Sequence, residues 1–247
     1  MPYGLNGPWT IQRASCALCA KITTRFEHGA LRHLWPDLRN ALAMQSRRKD
    51  KRSPTLPVVI ERNGVRETIR IPRAKYPTYL PTPLFPPPTK LWTNTLIRGV
   101  FTNLDVKHLA GPTMKEASKE YPGADFFGMH INFSAEDFVR MIAKIGFSAA
   151  VAALGLGAFT NTPIRNVILG KDEHLGQWVG GWWKEPINST TGSLHEIRIL
   201  YNPIEADIHA FVRLFAQFGA PEYHVMLGPP DPAFVASQDW PTTWAAA

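Results

Sequence analysis

Prolines are concentrated between residues 72 and 90, and this segment limits the fold more than any other feature of the sequence. Seven of its residues are proline: 72, 77, 81, 83, 86, 87 and 88. Each proline lacks a backbone N–H and holds φ at about −65°, so the segment is unsuited to a helix or to the interior of a sheet. We predict that residues 72–90 form an extended connector, with a domain boundary inside it or just before it.

The segment before the connector contains the clearest local pattern in the chain. Two β-rich runs, Val58 to Arg62 and Val65 to Ile71, are separated by Asn63 and Gly64. An Asn-Gly pair readily adopts the positive φ values of a type I′ turn, which joins adjacent antiparallel strands. The pattern therefore predicts a β-hairpin.

The second half of the chain has the pattern of a mixed helix and sheet unit. Ser134, with Asp137 three positions later, resembles the start of a capped helix, and an apolar stripe continues to about Leu156. Strands are predicted at Phe126–Phe133, His195–Tyr201, Asp207–Phe215 and Glu222–Leu227. Because short polar or Pro/Gly breaks separate the last three, we expect them to form an antiparallel meander. The predicted fold class is α+β.

Composition and hydropathy argue against a membrane protein. Apolar residues make up 45% of the 247 residues and charged residues 19%, as in an ordinary folded domain. The longest apolar run, Ile145 to Phe159, is too short for a bilayer span of about 20 residues and is interpreted as a core helix. The N-terminal residues show no secretory signal pattern. We therefore expect a cytoplasmic protein with no membrane partner.

Basic charge is concentrated at the N-terminal end. The first 52 residues contain ten Lys and Arg but three acids, and the remaining residues contain 17 of each sign. The whole formal net charge of +7 therefore lies in the first fifth of the chain. Such a region attracts phosphate backbones without regard to base sequence. A solvated basic helix followed by a loop would have the same composition, so charge alone leaves both interpretations open.

The chain has two cysteines, Cys16 and Cys19, in a Cys-x-x-Cys pattern. In a reducing compartment this spacing indicates metal ligation or redox chemistry. We predict a helix from a cap at Ser15 to about Trp35, and a helix N-terminus stabilises thiolates for either purpose. A closed zinc site needs four ligands, and His28 would lie about 13 Å along a continuous helix from Cys19. The redox interpretation needs a preceding strand, which residues 1–14 do not clearly supply.

Two stretches around the cysteines carry a more specific motif. They are Pro-Tyr-Gly-Leu-Asn-Gly at residues 2–7 and Ala-Ser-Cys-Ala-Leu-Cys-Ala-Lys-Ile-Thr-Thr-Arg-Phe-Glu at residues 14–27. Together they resemble the HNH endonuclease family, in the branch with two zinc knuckles and a His-Ile-x-Pro segment followed by a Gly-rich turn. The resemblance covers about residues 1–55, and the following segment to Pro88 is also similar to members of that branch.

The resemblance implies a structural Zn²⁺ and a nuclease activity. Cys16 and Cys19 match two of the family's four zinc ligands. The family's histidine is the general base for hydrolysis of DNA phosphodiester bonds, beside a catalytic Mg²⁺ or Mn²⁺. With Pro2 aligned to the family's proline, that histidine and the first knuckle would precede residue 1, so no catalytic residue is assigned. We expect either that Met1 is internal to a longer reading frame, or that the chain is a truncated member that still binds DNA.

The resemblance and the charge pattern also predict the residues that contact DNA phosphates: Arg25, Arg47, Arg48, Lys49, Lys51 and Arg52. The predicted organisation is a partial zinc-knuckle and basic-helix region of the ββα-metal kind at 1–55, a hairpin and connector at 56–90, an α+β domain at 91–228 and a tail at 229–247. The alternative function is that of a non-enzymatic nucleic-acid-binding or interaction protein, whose role would lie in residues 91–227.

Two further clusters have structural as well as functional interpretations. Trp178, Trp182 and Trp183 could stack nucleic-acid bases, although such clusters are more often core edges or subunit contacts. His195, His209 and His224 lie on predicted strands, where a metal site competes with the commoner packed or exposed histidine.

Overall fold

The chain alternates helices with antiparallel strands. The structure is a computed structural model that describes residues 2, 5, 15–44, 53–93, 95–96, 98–129, 131–160, 162–181 and 192–236. Within them the helices are α1 (Ala17–His33), α2 (Pro36–Ala41), α3 (Met114–Ser118), α4 (Ala135–Leu154), α5 (Ile164–Leu169), α6 (Leu175–Trp178) and α7 (Pro232–Ala236). The strands are β1 (Thr55–Arg62), β2 (Val65–Pro72), β3 (Thr78–Leu84), β4 (Asn103–Ala110), β5 (Phe126–Gly128), β6 (Val179–Gly181), β7 (His195–Asn202), β8 (Asp207–Leu214) and β9 (Tyr223–Gly228). The predicted α+β class is confirmed.

The hairpin predicted from the Asn-Gly pair is confirmed. β1 and β2 pair antiparallel around Asn63 and Gly64, whose φ values are 52° and 75°. β5 pairs with the other edge of β1, and the sheet has the order β2-β1-β5. The predicted strand at residues 126–133 is thus shorter than expected. The inward side chains of β1, among them Val58 and Ile60, form a small core with Phe127 of β5.

The predicted meander forms the main sheet, which has the order β6-β9-β8-β7. α4 packs across it, and a Cβ at Gly146 of α4 would lie only 3.0 Å from the Ala210 side chain of β8. A side chain at this position would require the neighbouring side chains of the sheet to shift, so glycine permits the close packing of helix and sheet. The predicted cap of α4 is also confirmed, since Ser134 Oγ accepts a hydrogen bond from Asp137 N at 3.1 Å. Gly155, with φ of 81°, follows the last helical residue.

The proline-rich segment differs from the predicted connector. Its residues 78–84 form β3, which pairs with β4 in a two-stranded sheet. Pro81 and Pro83 occupy alternate positions, so their missing N–H groups share one edge of the strand. The carbonyls on that edge accept hydrogen bonds from Trp35 Nε1 at 2.7 Å and Tyr223 Oη at 2.8 Å. The edge therefore faces away from β4, and proline costs β3 no ladder hydrogen bond.

The main core combines residues from the predicted N-terminal, central and C-terminal segments. Leu31 of α1, Leu80 of β3, Phe138 of α4 and Val212 of β8 belong to one buried cluster. Trp35, which links α1 to α2, is 1% exposed, and its ring contacts Phe138 edge-on at 5.6 Å between centroids. Folding of α1 is therefore coupled to the C-terminal sheet. None of the helices in the described ranges is long and apolar enough to cross a bilayer.

Candidate zinc and phosphate-binding site

The cysteine pair lies at the start of α1. Cys16, rather than the predicted Ser15, is the N-cap residue, with φ of −66° and ψ of 164°. Its Sγ accepts a hydrogen bond from Cys19 N at 3.4 Å, as a serine or aspartate oxygen does at other helix starts. Both thiols are free, with Cys16 exposed and Cys19 half-buried. The motif thus places two sulfurs beside the unpaired N–H groups of the first helical turn.

The two thiols differ in pKa. Hydrogen bonds from the backbone and then from the side chain of Cys19 lower the pKa of Cys16. The side-chain hydrogen bond to Cys16, followed by burial and the charge of Cys16, raises the pKa of Cys19, although Arg165 and Lys171 act in the opposite direction. Cys16 is therefore the thiol that ionises first.

The donor set fits half of a tetrahedral zinc centre. Two adjacent thiolates match two of the four ligands that a structural zinc requires. In the described ranges, no group of three or more His, Cys, Asp and Glu is placed to hold a metal ion. His28 lies in the same unbroken helix as Cys19, about 13 Å further along its axis. The two residues therefore cannot bind one zinc ion. A zinc ion held by Cys16 and Cys19 would supply a cross-link between α1 and the segment that carries the remaining ligands, and no reacting group.

A cavity of about 410 Å³ opens beside the cysteines. It lies between α1, α4 and α5, and its walls are mainly apolar, with Phe147 and Val151 from α4 and Ile168 from α5. Cys16 and Cys19 form part of its rim. The two cysteines therefore lie at the edge of a mainly apolar cavity.

Arg25 is the one predicted phosphate-binding residue that the structure describes. It lies on α1 with its side chain exposed. The other five, Arg47, Arg48, Lys49, Lys51 and Arg52, lie outside the described residues. Of the six predicted phosphate-binding residues, the structure therefore gives the position and exposure of Arg25 only.

The tryptophan cluster is described only at Trp178. Its Nε1 donates to Asp172 Oδ2 at 3.0 Å, and Lys90 Nζ lies 4.7 Å from its ring centroid. Trp182 and Trp183 lie outside the described residues. Because contacts within the chain occupy both the edge and a face of Trp178, this ring is not available as a stacking platform for bases.

Two of the three strand histidines meet in the core. His209 Nδ1 lies 2.9 Å from His224 Nε2, and both side chains are fully buried. His195 is elsewhere and accepts a hydrogen bond from Phe215 N at 3.1 Å. The three histidines therefore do not share a site. The buried pair is instead part of a polar cluster with Lys90, Asp207 and Glu205.

This polar cluster was not predicted from the sequence. Lys90 Nζ pairs with Asp207 Oδ2 at 2.7 Å, and His209 Nε2 lies 3.4 Å from Glu205 Oε2. Burial and then the Lys90 cation lower the pKa of His209 to about 4. Burial raises the pKa of Asp207, against its hydrogen bond from Lys90. One signal was present in the sequence, since alternate residues of β8 are Asp207, His209, Phe211 and Arg213, which places polar groups on one strand face.

No family model matches the chain, and neither a characterised protein nor a solved structure matches it at a significant level. The resemblance to the HNH family therefore rests on the motif residues of the N-terminal region.

Proposed function

We propose that this chain is an HNH-type endonuclease family protein, in which Cys16 and Cys19 are two of four ligands of a structural Zn²⁺. Its basic N-terminal region contacts DNA phosphates through Arg25 and the residues 47–52 named above. Hydrolysis of DNA in this family requires a histidine general base and a catalytic Mg²⁺ or Mn²⁺. No residue of the 247 matches that histidine, so the 247-residue chain binds DNA without cleaving it.

The start of α1 is the observation that supports the proposal most. Cys16 caps the helix and Cys19 follows in its first turn, so the pair lies at the positive end of the helix dipole, and hydrogen bonds from Cys19 lower the pKa of Cys16. The adjoining cavity leaves space for another pair of ligands. Because the chain has only two cysteines, the remaining thiolates of a four-cysteine centre must come from outside these residues. Free thiols of this kind suit the reducing cytoplasm, where we place the protein.

A plasmid-nicking assay tests the assignment. We expect no nicking by the 247-residue chain with Mg²⁺ or Mn²⁺. A version extended through the in-frame codons upstream of Met1 should nick the plasmid, provided those codons encode His-Ile before Met1 and a further Cys-x-x-Cys. Replacement of that upstream histidine by alanine is the matched control, and it should abolish nicking without loss of zinc.

Two results would contradict the proposal. Metal-dependent nicking by the 247-residue chain, lost on Cys16→Ser, would mean that the active centre lies within these residues. An in-frame stop codon close to Met1 would instead favour the alternative class, a non-enzymatic nucleic-acid-binding or interaction protein.

A further inference from the structure

The solvent face of α1 carries a line of basic side chains. Lys21, Arg25, His28 and Arg32 follow at intervals of four, three and four residues, which places them on one side of an α-helix. All four are exposed, whereas the opposite side, which includes Phe26, is buried. We call these four side chains the α1 ridge. The ridge extends the predicted phosphate contact at Arg25 along the helix.

The permanent cations of the ridge form no ion pair in the described part of the chain. Among the residues that the structure describes, no carboxylate oxygen lies within 4.0 Å of Lys21, Arg25 or Arg32. Asp137 of α4 is near enough to Arg25 for that charge to act on the pKa of its carboxyl. By contrast, the exposed Arg66 on β2 pairs with Glu61 at 2.6 Å. Like charges at such spacing destabilise a helix, so the ridge is a surface whose charge an external anion would stabilise.

His28 indicates the sign of the local electrostatic potential. Its pKa is lowered first by burial and then by the positive charges of Arg32, His33 and Arg39. Arg39 lies on α2, so the positive region extends beyond α1. A bound polyanion would reverse this effect and favour protonated His28.

The residues on the exposed face of α1 indicate which class of polyanion it would bind. Helices that bind membrane surfaces need an exposed apolar face. The apolar face of α1 packs in the core, and Leu18 is the one large apolar side chain of this helix that is exposed. Single-stranded nucleic acids are held by stacking on aromatic rings, and the exposed positions of α1 contain no Phe, Tyr or Trp. Both observations favour contact with a duplex backbone.

The length of the ridge is adequate for such contact. Lys21 and Arg32 are separated by about 16 Å along the helix axis at a rise of about 1.5 Å per residue. This equals about five phosphate steps of one DNA strand, measured along the duplex axis at about 3.4 Å each. Lys21, Arg25 and Arg32 can therefore reach different phosphates of the same duplex.

We infer that the α1 ridge is a phosphate-binding surface that contacts the backbone of double-stranded DNA separately from the segment at residues 47–52. The choice of DNA as the partner rests on the proposed function. The ridge adds Lys21, His28 and Arg32 to the DNA-contacting set, and these contacts are independent of base sequence.

The salt dependence of binding to a short DNA duplex, measured by fluorescence anisotropy on the full chain, tests the inference. In the ridge variant, Lys21, Arg25 and Arg32 become Gln. In the charge-matched control, Arg66, Lys115 and Lys119, all exposed and distant in sequence, become Gln. A third variant carries Gln at 47, 48, 49, 51 and 52. Urea unfolding should give a midpoint for the ridge variant that is no lower than that of the wild type, because the altered side chains are exposed and their mutual repulsion is removed.

We expect the salt dependence to be weaker in the ridge variant. The magnitude of the slope of log affinity against log salt should fall by about 2.7, because three phosphate contacts are lost at about 0.9 each. The matched control should keep the wild-type slope. The ridge inference would be overturned if the slope fell equally in the control and the ridge variant, or if it fell only in the 47–52 variant. Either result would leave the proposed function standing. Absence of duplex binding by the wild type would overturn both, and preference for single-stranded DNA or anionic vesicles would overturn the choice of partner.

Discussion

The buried His209–His224 pair should make the folded chain less stable as pH falls below neutrality. In the native state, burial holds the pKa of His209 at about 4 and lowers that of His224, whereas both histidines have ordinary pKa values in the unfolded chain. Between the unfolded and folded pKa values the unfolded state therefore binds more protons, and acid shifts the equilibrium toward unfolding. This contribution to stability is fully present above about pH 7 and is lost progressively toward pH 4.

The size of the effect follows from the shift at His209. With pKa values of about 6.5 unfolded and about 4 folded, lowering the pH from 8 to 5 removes about 2 kcal/mol from the unfolding free energy. His224 adds to this loss, because its pKa is displaced in the same direction. Asp207 acts in the opposite direction, since its raised pKa makes the folded state take up a proton more readily.

Urea unfolding followed by tryptophan fluorescence at pH 8 and pH 5 measures this effect. The test variant carries His209→Leu and His224→Leu. Both imidazoles are removed together, so that neither is left buried without its hydrogen-bond partner. The control carries His108→Gln, at an exposed histidine of β4. We expect the double variant to lose most of the pH dependence and the control to keep it. Equal wild-type stability at the two pH values, or an unchanged dependence in the double variant, would refute the reasoning.

Two further predictions concern close backbone packing and the cysteine pair. Gly180→Ala should lower the unfolding free energy by about 1–3 kcal/mol, because its Cβ would lie 2.3 Å from the Pro86 carbonyl oxygen; urea titration should show no such loss for Gly157→Ala, which has nothing within 4 Å. Cys16 should be alkylated by iodoacetamide faster than Cys19, since it is more exposed and its pKa is lowered; equal rates in peptide mass spectra would count against the described hydrogen bonding.

Elements that depend on close neighbours in the sequence were predictable. The Asn63-Gly64 turn and the Ser134 cap each depend on a few consecutive residues. The meander depends on strand-like runs that are separated by short polar or Pro/Gly breaks. The start of α1 was misplaced by one residue because a cysteine sulfur, rather than the serine hydroxyl, accepts the capping hydrogen bond. Local pattern therefore predicted the secondary structure well where the hydrogen bonds are local.

Elements that depend on distant partners were not predictable. β3 forms in a proline-rich segment because Trp35 and Tyr223, far away in the chain, donate to the carbonyls on its free edge. The Lys90–Asp207 ion pair joins residues 117 positions apart, and no local pattern indicates it. The same limit applies to the zinc proposal, since one Cys-x-x-Cys motif specifies two ligands and contains no information about the other two.

Zinc coordination by the cysteine pair tests the central proposal most directly. We suggest Zn K-edge X-ray absorption on the chain with one equivalent of Zn²⁺, compared with Cys16→Ser, in which serine preserves the helix cap. The proposal predicts a shell of two sulfurs at about 2.3 Å, which falls to at most one sulfur in the variant. A shell of nitrogen and oxygen alone, the same in both proteins, would contradict it.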